Sequence, residues 1–261
     1  MLIPKPQKSP LIIGHRGTSR EAPENTLESF RLAWANGADG IEADFRLTAD
    51  GAIVCMHDAT TGRTAGKDLE IAASTVKELR CLDAGAWKGS AWSGAVIPTL
   101  DEVLAAIPHG TWFFIELKCG VEVIAPLKRA LQTSGISPER IRLLSFNAPL
   151  IAELTQHLPD WHACLLCDYR HSLLSNSWRP SRADVLDMLT RSGACGLASA
   201  DRTFLDRNLV DTLKALGMEI HVWTVDRPSN ARRLYNLGVD SIMTNRPGWL
   251  RHKLAADEKV S

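Results

Sequence analysis

Residues 195–244 read CGLASADRTFLDRNLVDTLKALGMEIHVWTVDRPSNARRLYNLGVDSIMT. Three short apolar runs, 195–199, 219–224 and 241–244, are separated by two amphipathic stretches, 209–216 and 230–237. Gly217 and Gly238 follow those stretches, where a left-handed residue closes a helix at no steric cost. Strand and helix in strict alternation are the mark of repeated β-α units and a parallel sheet.

The same rhythm runs back toward the N-terminus. Further strands are predicted at 11–14, 39–45, 112–117, 142–146 and 163–167, which makes eight. Helical patterns lie between them at 26–36, 100–107, 123–133, 150–157 and 182–191, with Gly135 and Gly193 closing two of these. Eight strands with helical crossovers predict an α/β fold, a closed (β/α)8 TIM barrel. An open doubly wound sheet is the alternative, because periodicity does not by itself establish closure. The 261 residues suit one barrel domain spanning the chain, since such barrels need roughly 250.

One run breaks the alternation. Residues 52–56 follow 42–47 after only Thr48-Ala49-Asp50-Gly51, with no room for a helix, and Asp-Gly between extended runs signals a hairpin. An antiparallel pair about that turn brings His57 opposite residues 42–44. Residues 59–98 then form a small capping insertion after the second barrel strand. Thr75 and Glu78 read as a capping box within it.

Lys plus Arg equal Asp plus Glu, 30 each, so the basic footprint of a nucleic-acid or anionic-membrane binder is missing. No run approaches the ~20 apolar residues of a membrane span, and prolines interrupt the opening MLIPKPQKSPLII, unlike a signal peptide. A cytoplasmic protein is expected, with no membrane span; its oligomeric state is not legible. The six cysteines show no framework spacing, so disulfides are not implied. Cys164 and Cys167 are three apart on a strand and point to opposite faces, which reads as core rather than a redox or zinc pair.

Barrel active sites form at the C-terminal ends of the strands. Four ends carry polar chemistry: His15-Arg16-Gly17, Glu42 with Asp44, His57-Asp58, and Glu116 with Lys118. Residues two apart on a strand share a face, so adjacent strands converge Glu42, Asp44 and Glu116. Two carboxylates about 4 Å apart repel by roughly 4 kcal/mol at an effective dielectric of 20. Three therefore call for a cation, and oxygen-only ligands favour one Mg2+ or Ca2+ over zinc. Salt bridges to Arg16 and Lys118 at the rim are the plainer alternative. His15 and His57 are the natural proton-transfer pair, with Asp58 placed to orient one of them. His109, His157, His162, His171 and His252 read as packing or surface residues, and His221 as core hydrogen bonding. Asn25 with Glu28 looks like a helix N-cap and its box partner, not a catalytic group.

Taken in order, HRG at 15–17, APENT at 22–26, E-x-D at 42–44, DG then HD at 57–58, IPTL at 97–100, E-x-K at 116–118 and WTVD at 223–226 resemble the glycerophosphodiester phosphodiesterase family. The resemblance implies a TIM barrel in which Glu42, Asp44 and Glu116 bind a divalent metal and His15 and His57 act as acid and base. It also implies that Arg16 and Lys118 hold the phosphate, and that Trp223 lines the mouth against the glycerol or alcohol group. On this resemblance, water or the glycerol 2-hydroxyl is expected as the nucleophile, and glycerol 3-phosphate and an alcohol as the products. Two rivals stand beside this: a metal-dependent barrel lyase or aldolase, for which Lys118 is the one obvious amine, and a phosphodiesterase acting on lysophospholipids, for which Trp87 and Trp92 would supply an apolar mouth.

Overall fold

The structure, a computed structural model, describes residues 9–172 and 177–258; the N-terminal run discussed above lies largely outside these. Strand β1 (Leu11–His15) leads to α1 (Leu27–Ala35), and β2 (Gly40–Leu47) turns directly into β3 (Ile53–Cys55). The insertion carries α2 (Gly62–Ala65) and α3 (Val76–Leu79). Then come α4 (Leu100–Ala106), β4 (Trp112–Leu117), α5 (Ile124–Thr133), β5 (Ile141–Ser145), α6 (Ala148–His157) and β6 (His162–Cys167). A hairpin of β7 (Arg170–Ser172) and β8 (Ser177–Arg179) precedes α7 (Arg182–Ser192) and β9 (Gly196–Ala200). The order ends with α8 (Arg207–Ala215), β10 (Glu219–Trp223), α9 (Pro228–Leu237), β11 (Ser241–Thr244) and α10 (Pro247–Glu258).

Strands β1, β2, β4, β5, β6, β9, β10 and β11 pair in that cyclic order, and every pairing is parallel. Because β1 pairs with both β2 and β11, the sheet closes, which excludes the doubly wound alternative. Alternation along the strands sorts the core into two layers. Ile41, Ala43, Phe45, Phe113, Ile115 and Leu117 face the helices. Their neighbours Ile13, Phe114, Leu144, Cys164, Leu166, Ala198 and Met243 fill the barrel interior. Cys164 and Cys167 fall in different layers, as their spacing predicts, and all six cysteines are free thiols.

The interior layer is small and fully buried, so its loss cannot be relieved by water. Phe114→Ala is expected to cost about 3–5 kcal/mol, read from urea unfolding. A loss below about 1 kcal/mol would mean that the interior repacks around the void.

The hairpin forms as predicted, with Phe45 opposite Cys55 and Leu47 opposite Ile53, and the Met56 N–H reaching the Asp44 carbonyl at 3.0 Å. The insertion has its own apolar cluster, including Met56, Ala65, Ile71, Leu79 and Ile97, and Thr75 with Glu78 forms a complete capping box. The Trp87 indole donates to the Ala84 carbonyl, pinning its loop. Two elements depart from the sequence reading. The β7–β8 hairpin falls in a stretch without Asp-Gly punctuation. The C-terminal stretch, which lies outside the helical patterns read from the sequence, forms α10 through Glu258: Leu250 is buried, and Trp249 and Leu254 pack against the outer layer. No helix among the described residues is long and apolar enough to cross a membrane.

Candidate active site

His15 ends β1 with its Nδ1 2.7 Å from Asn245 Oδ1. That oxygen already accepts from Ser19 Oγ at 2.7 Å, while Asn245 Nδ2 donates to Asp226 at 2.7 Å. Nδ1 must therefore carry the proton, leaving the Nε2 lone pair on the side of Glu42, 3.9 Å away. A left-handed backbone at Arg16 (φ 54°) turns its N–H onto Glu42 Oε2 at 3.0 Å. Gly17 continues the turn at φ 83°, and a Cβ there would sit 2.3 Å from Ser29 Oγ and 2.7 Å from the Ser29 carbonyl carbon. Gly17→Ala is expected to cost about 1–3 kcal/mol and to disturb His15 and Arg16 together. A variant with parent stability and initial rate would show that the loop yields without consequence.

Glu42 and Asp44 project inward from β2, with Glu116 beside Asp44 on β4, and all three are buried. One oxygen from each lies within 4.8 Å of the others. Arg16 Nε reaches Asp44 Oδ2 at 3.0 Å, and Lys118 pairs with both Asp44 and Glu116. Asn25 corrects the sequence reading. Thr26 is the N-cap of α1, accepting from the Ser29 N–H. Asn25, buried at φ 58°, grips Asp44 twice: its Nδ2 donates to Asp44 Oδ2 at 2.9 Å, and its Oδ1 accepts from the Asp44 N–H at 3.1 Å.

His57 follows the hairpin, with Nδ1 2.6 Å from Asp58 Oδ1, so Asp58 does orient it. Arg46 fixes the main chain on both sides of the mouth. Its Nε and Nη2 donate to the His57 carbonyl at 3.1 and 2.8 Å, and its Nη1 to the Lys118 carbonyl at 3.1 Å.

Three carboxylates face two cations, Arg16 and Lys118, so one negative charge is left over. Burial, then the charges of Asp44 and Glu116, raise Glu42 well above the carboxylate range. Burial and Asp44 push Glu116 up to about 7. Burial works the same way on Asp44, but Arg16 and Lys118 outweigh it and hold its carboxyl below the usual range. Glu42 Oε1 and Asp44 Oδ1 are buried without a hydrogen-bond partner, although Lys118 lies 3.2 Å from the latter. Lone pairs aimed at a shared space, in an all-oxygen set carrying excess negative charge, fit a hard divalent cation. Burial and the Arg16 charge take His15 down to about 4. Burial also lowers His57, against the pull of Asp44 and Asp58.

Trp223 ends β10, its Nε1 donating to the Ala198 carbonyl at 3.0 Å and its ring packing on both core layers. The exposed Phe146, at the end of β5 and missed in the sequence, meets it edge-on at 5.5 Å. At the opposite end of the barrel, His221 bonds Ser241 and Glu219, as its core reading predicts. Cys164 lies near Glu219 and His221, but both Glu219 oxygens are taken by Arg142 at 2.5 and 2.7 Å, with Oε1 shared with His162 and Oε2 with His221, which leaves no lone pair for an ion.

A closed barrel that gathers acids, imidazoles and cations at the C-terminal mouth is a TIM-barrel enzyme. Residues 15–249 match the model of the glycerophosphoryl diester phosphodiesterase family, and the chain belongs to that family. It is 34% identical over 243 residues to a glycerophosphodiester phosphodiesterase of Caldanaerobacter subterraneus subsp. tengcongensis, with 91% of this chain and 94% of the relative covered. A glycerophosphodiester phosphodiesterase of Bacillus subtilis is 29% identical, with 94% and 86% covered. Among solved structures, an Oleispira antarctica phosphodiesterase in complex with its product sn-glycerol-3-phosphate superposes with a TM-score of 0.82 at 29% identity, over 95% of this chain and 97% of that one.

Proposed function

We propose that this enzyme hydrolyses glycerophosphodiesters to glycerol 3-phosphate and an alcohol, with a divalent cation held by Glu42, Asp44 and Glu116. The observation that carries the reading is the pair of imidazoles, each with Nδ1 engaged by a side-chain oxygen, beside a buried three-carboxylate cluster with unpartnered lone pairs. A bound cation supplies charge to offset that developing on the phosphoryl group. Arg16 and Lys118 hold the phosphate oxygens and restrain their orientation. His15, neutral with a free Nε2, takes the proton of the attacking hydroxyl, either from water directly or from the glycerol 2-hydroxyl, in which case water opens the resulting cyclic phosphodiester to glycerol 3-phosphate in a second step. His57, whose charged form Asp58 stabilises, delivers a proton from Nε2 to the departing alcohol oxygen as the phosphorus–oxygen bond breaks.

Lys118 argues against the aldolase rival. Burial opposes its charge, but Asp44 and Glu116 outweigh burial and raise its pKa, whereas an imine-forming lysine needs a depressed one. Six free thiols favour a reducing, cytoplasmic compartment. The substrate class is tested by incubating the protein with glycerophosphocholine, glycerophosphoethanolamine and a lysophospholipid. Glycerol 3-phosphate from the first two, and little turnover of the third, is expected; the reverse order would replace glycerophosphodiesters with lipids as the substrate.

The raised acids give cation binding a definite pH dependence. Metal-free, folded protein binds the Glu116 proton more tightly than unfolded protein does, so this group's contribution to stability falls as pH rises from about 4.5 to about 7. The cation needs the ionised form and must displace that proton at lower pH. Its affinity is expected to be at least about tenfold weaker at pH 6 than at pH 8 from the Glu116 proton alone, and the melting-temperature rise produced by Mg2+ or Ca2+ correspondingly smaller. An equal rise at both pH values would place the cation away from Glu116.

A further inference from the structure

Arg63 lies on α2, in the insertion rather than the barrel, with its side chain 44% exposed. Its Nη1 and Nη2 donate to Glu24 Oε2 and Oε1 at 3.0 and 2.8 Å, and its Nε donates to Asp58 Oδ2 at 2.5 Å. Each of those carboxylates also holds a residue of the mouth. Asp58 Oδ1 accepts from His57 Nδ1 at 2.6 Å, and Glu24 Oε1 accepts from Arg16 Nη1 at 2.8 Å. One guanidinium thus ends in two acids, and each acid orients a different side chain of the site. A planar fork can satisfy both acids at once, whereas an ammonium on a flexible stem cannot reproduce that geometry.

We infer that Arg63 is a positioning residue: docked from the insertion, it fixes the His57 ring through Asp58 and the Arg16 guanidinium through Glu24. The inference rests on His57 acting in proton transfer. The insertion does not need Arg63 to stay folded, because Met56, Ala65, Ile71, Leu79 and Ile97 form its core without it. Removing Arg63 leaves Asp58 and Glu24 with only their site partners, so both rotate more freely. The His57 main chain stays in place through Arg46, but its ring loses a fixed orientation. A ring out of place impairs the chemical step and lowers kcat; an Arg16 out of place weakens phosphate binding and raises KM.

The test compares Arg63→Ala and Arg63→Lys with the parent, with His57→Ala run in parallel on the same glycerophosphodiester. Arg63→Ala is expected to lower kcat about tenfold or more and to raise KM while remaining folded. Millimolar guanidinium should restore part of that kcat in Arg63→Ala and none in His57→Ala. Arg63→Lys should recover less than the added guanidinium does. Parent values of kcat and KM in Arg63→Ala, with His57→Ala impaired, would overturn the inference and leave the role of His57 standing. A loss that guanidinium does not restore and that matches the unfolded fraction would reduce Arg63 to a structural contact. Parent turnover in His57→Ala would remove the reading on which the inference depends.

Discussion

Alanine at His57 or at His15 is expected to lower kcat about 10²-fold or more while leaving the fold intact. Both side chains sit at strand or hairpin ends, and neither belongs to an apolar cluster. What each substitution removes is an oriented Nε2. At His15 that orientation comes from Asn245, itself fixed by Asp226; at His57 it comes from Asp58. Because one imidazole accepts and the other donates, neither replaces the other, and the double variant should fall little below the worse single one. Steady-state rates with circular dichroism as a check on folding decide it. Parent-like turnover in both single variants would end the assignment of proton transfer to this pair.

Asp44→Asn is expected to have the second large effect, and on two properties at once. Asp44 is fully buried and holds Arg16, Lys118 and Asn25. The neutral amide keeps the shape and removes the charge, so it weakens the cation site and leaves two half-buried cations, Arg16 and Lys118, short of a partner. Orienting groups behind a metal ligand are worth 10–100-fold in affinity, so a ligand itself should cost roughly 10²-fold or more. Breaking one side of a buried ion pair costs about 3–5 kcal/mol. Calorimetric titration with Mg2+ or Ca2+ reads the first quantity and urea unfolding the second. Parent affinity in Asp44→Asn would show that the ion binds elsewhere; parent stability would show that Glu116 and Glu24 suffice for the two cations.

The fold class was legible because a β-α rhythm is a local property: each run at 195–244 is readable from its own residues, whereas closure, which the rhythm left open against a doubly wound sheet, is carried by the pairing of β1 with both β2 and β11. The acids at i and i+2 on β2 and the hairpin after Asp50-Gly51 were legible for the same reason, since strand geometry alone carries them to one place. The supports behind them were not. Asn245 lies 230 residues from His15, and Arg63 lies 39 residues from Glu24. No spacing rule links such pairs before the barrel closes. Asn25 was misread because its neighbour Thr26 offers the same capping chemistry one position later, and only the left-handed backbone at Asn25 shows that its amide turns inward to Asp44. Arg46 hid behind an ordinary surface alternation, although its donors end on the carbonyls of His57 and Lys118.

The most direct measurement is glycerol 3-phosphate release from glycerophosphocholine by protein stripped with a chelator, then given back Mg2+ or Ca2+. Release that stops on stripping and returns as the ion saturates Glu42, Asp44 and Glu116, and that fails to return in Asp44→Asn, is the expected result. Undiminished release by the stripped protein would contradict a cation-dependent phosphodiesterase built on those three acids.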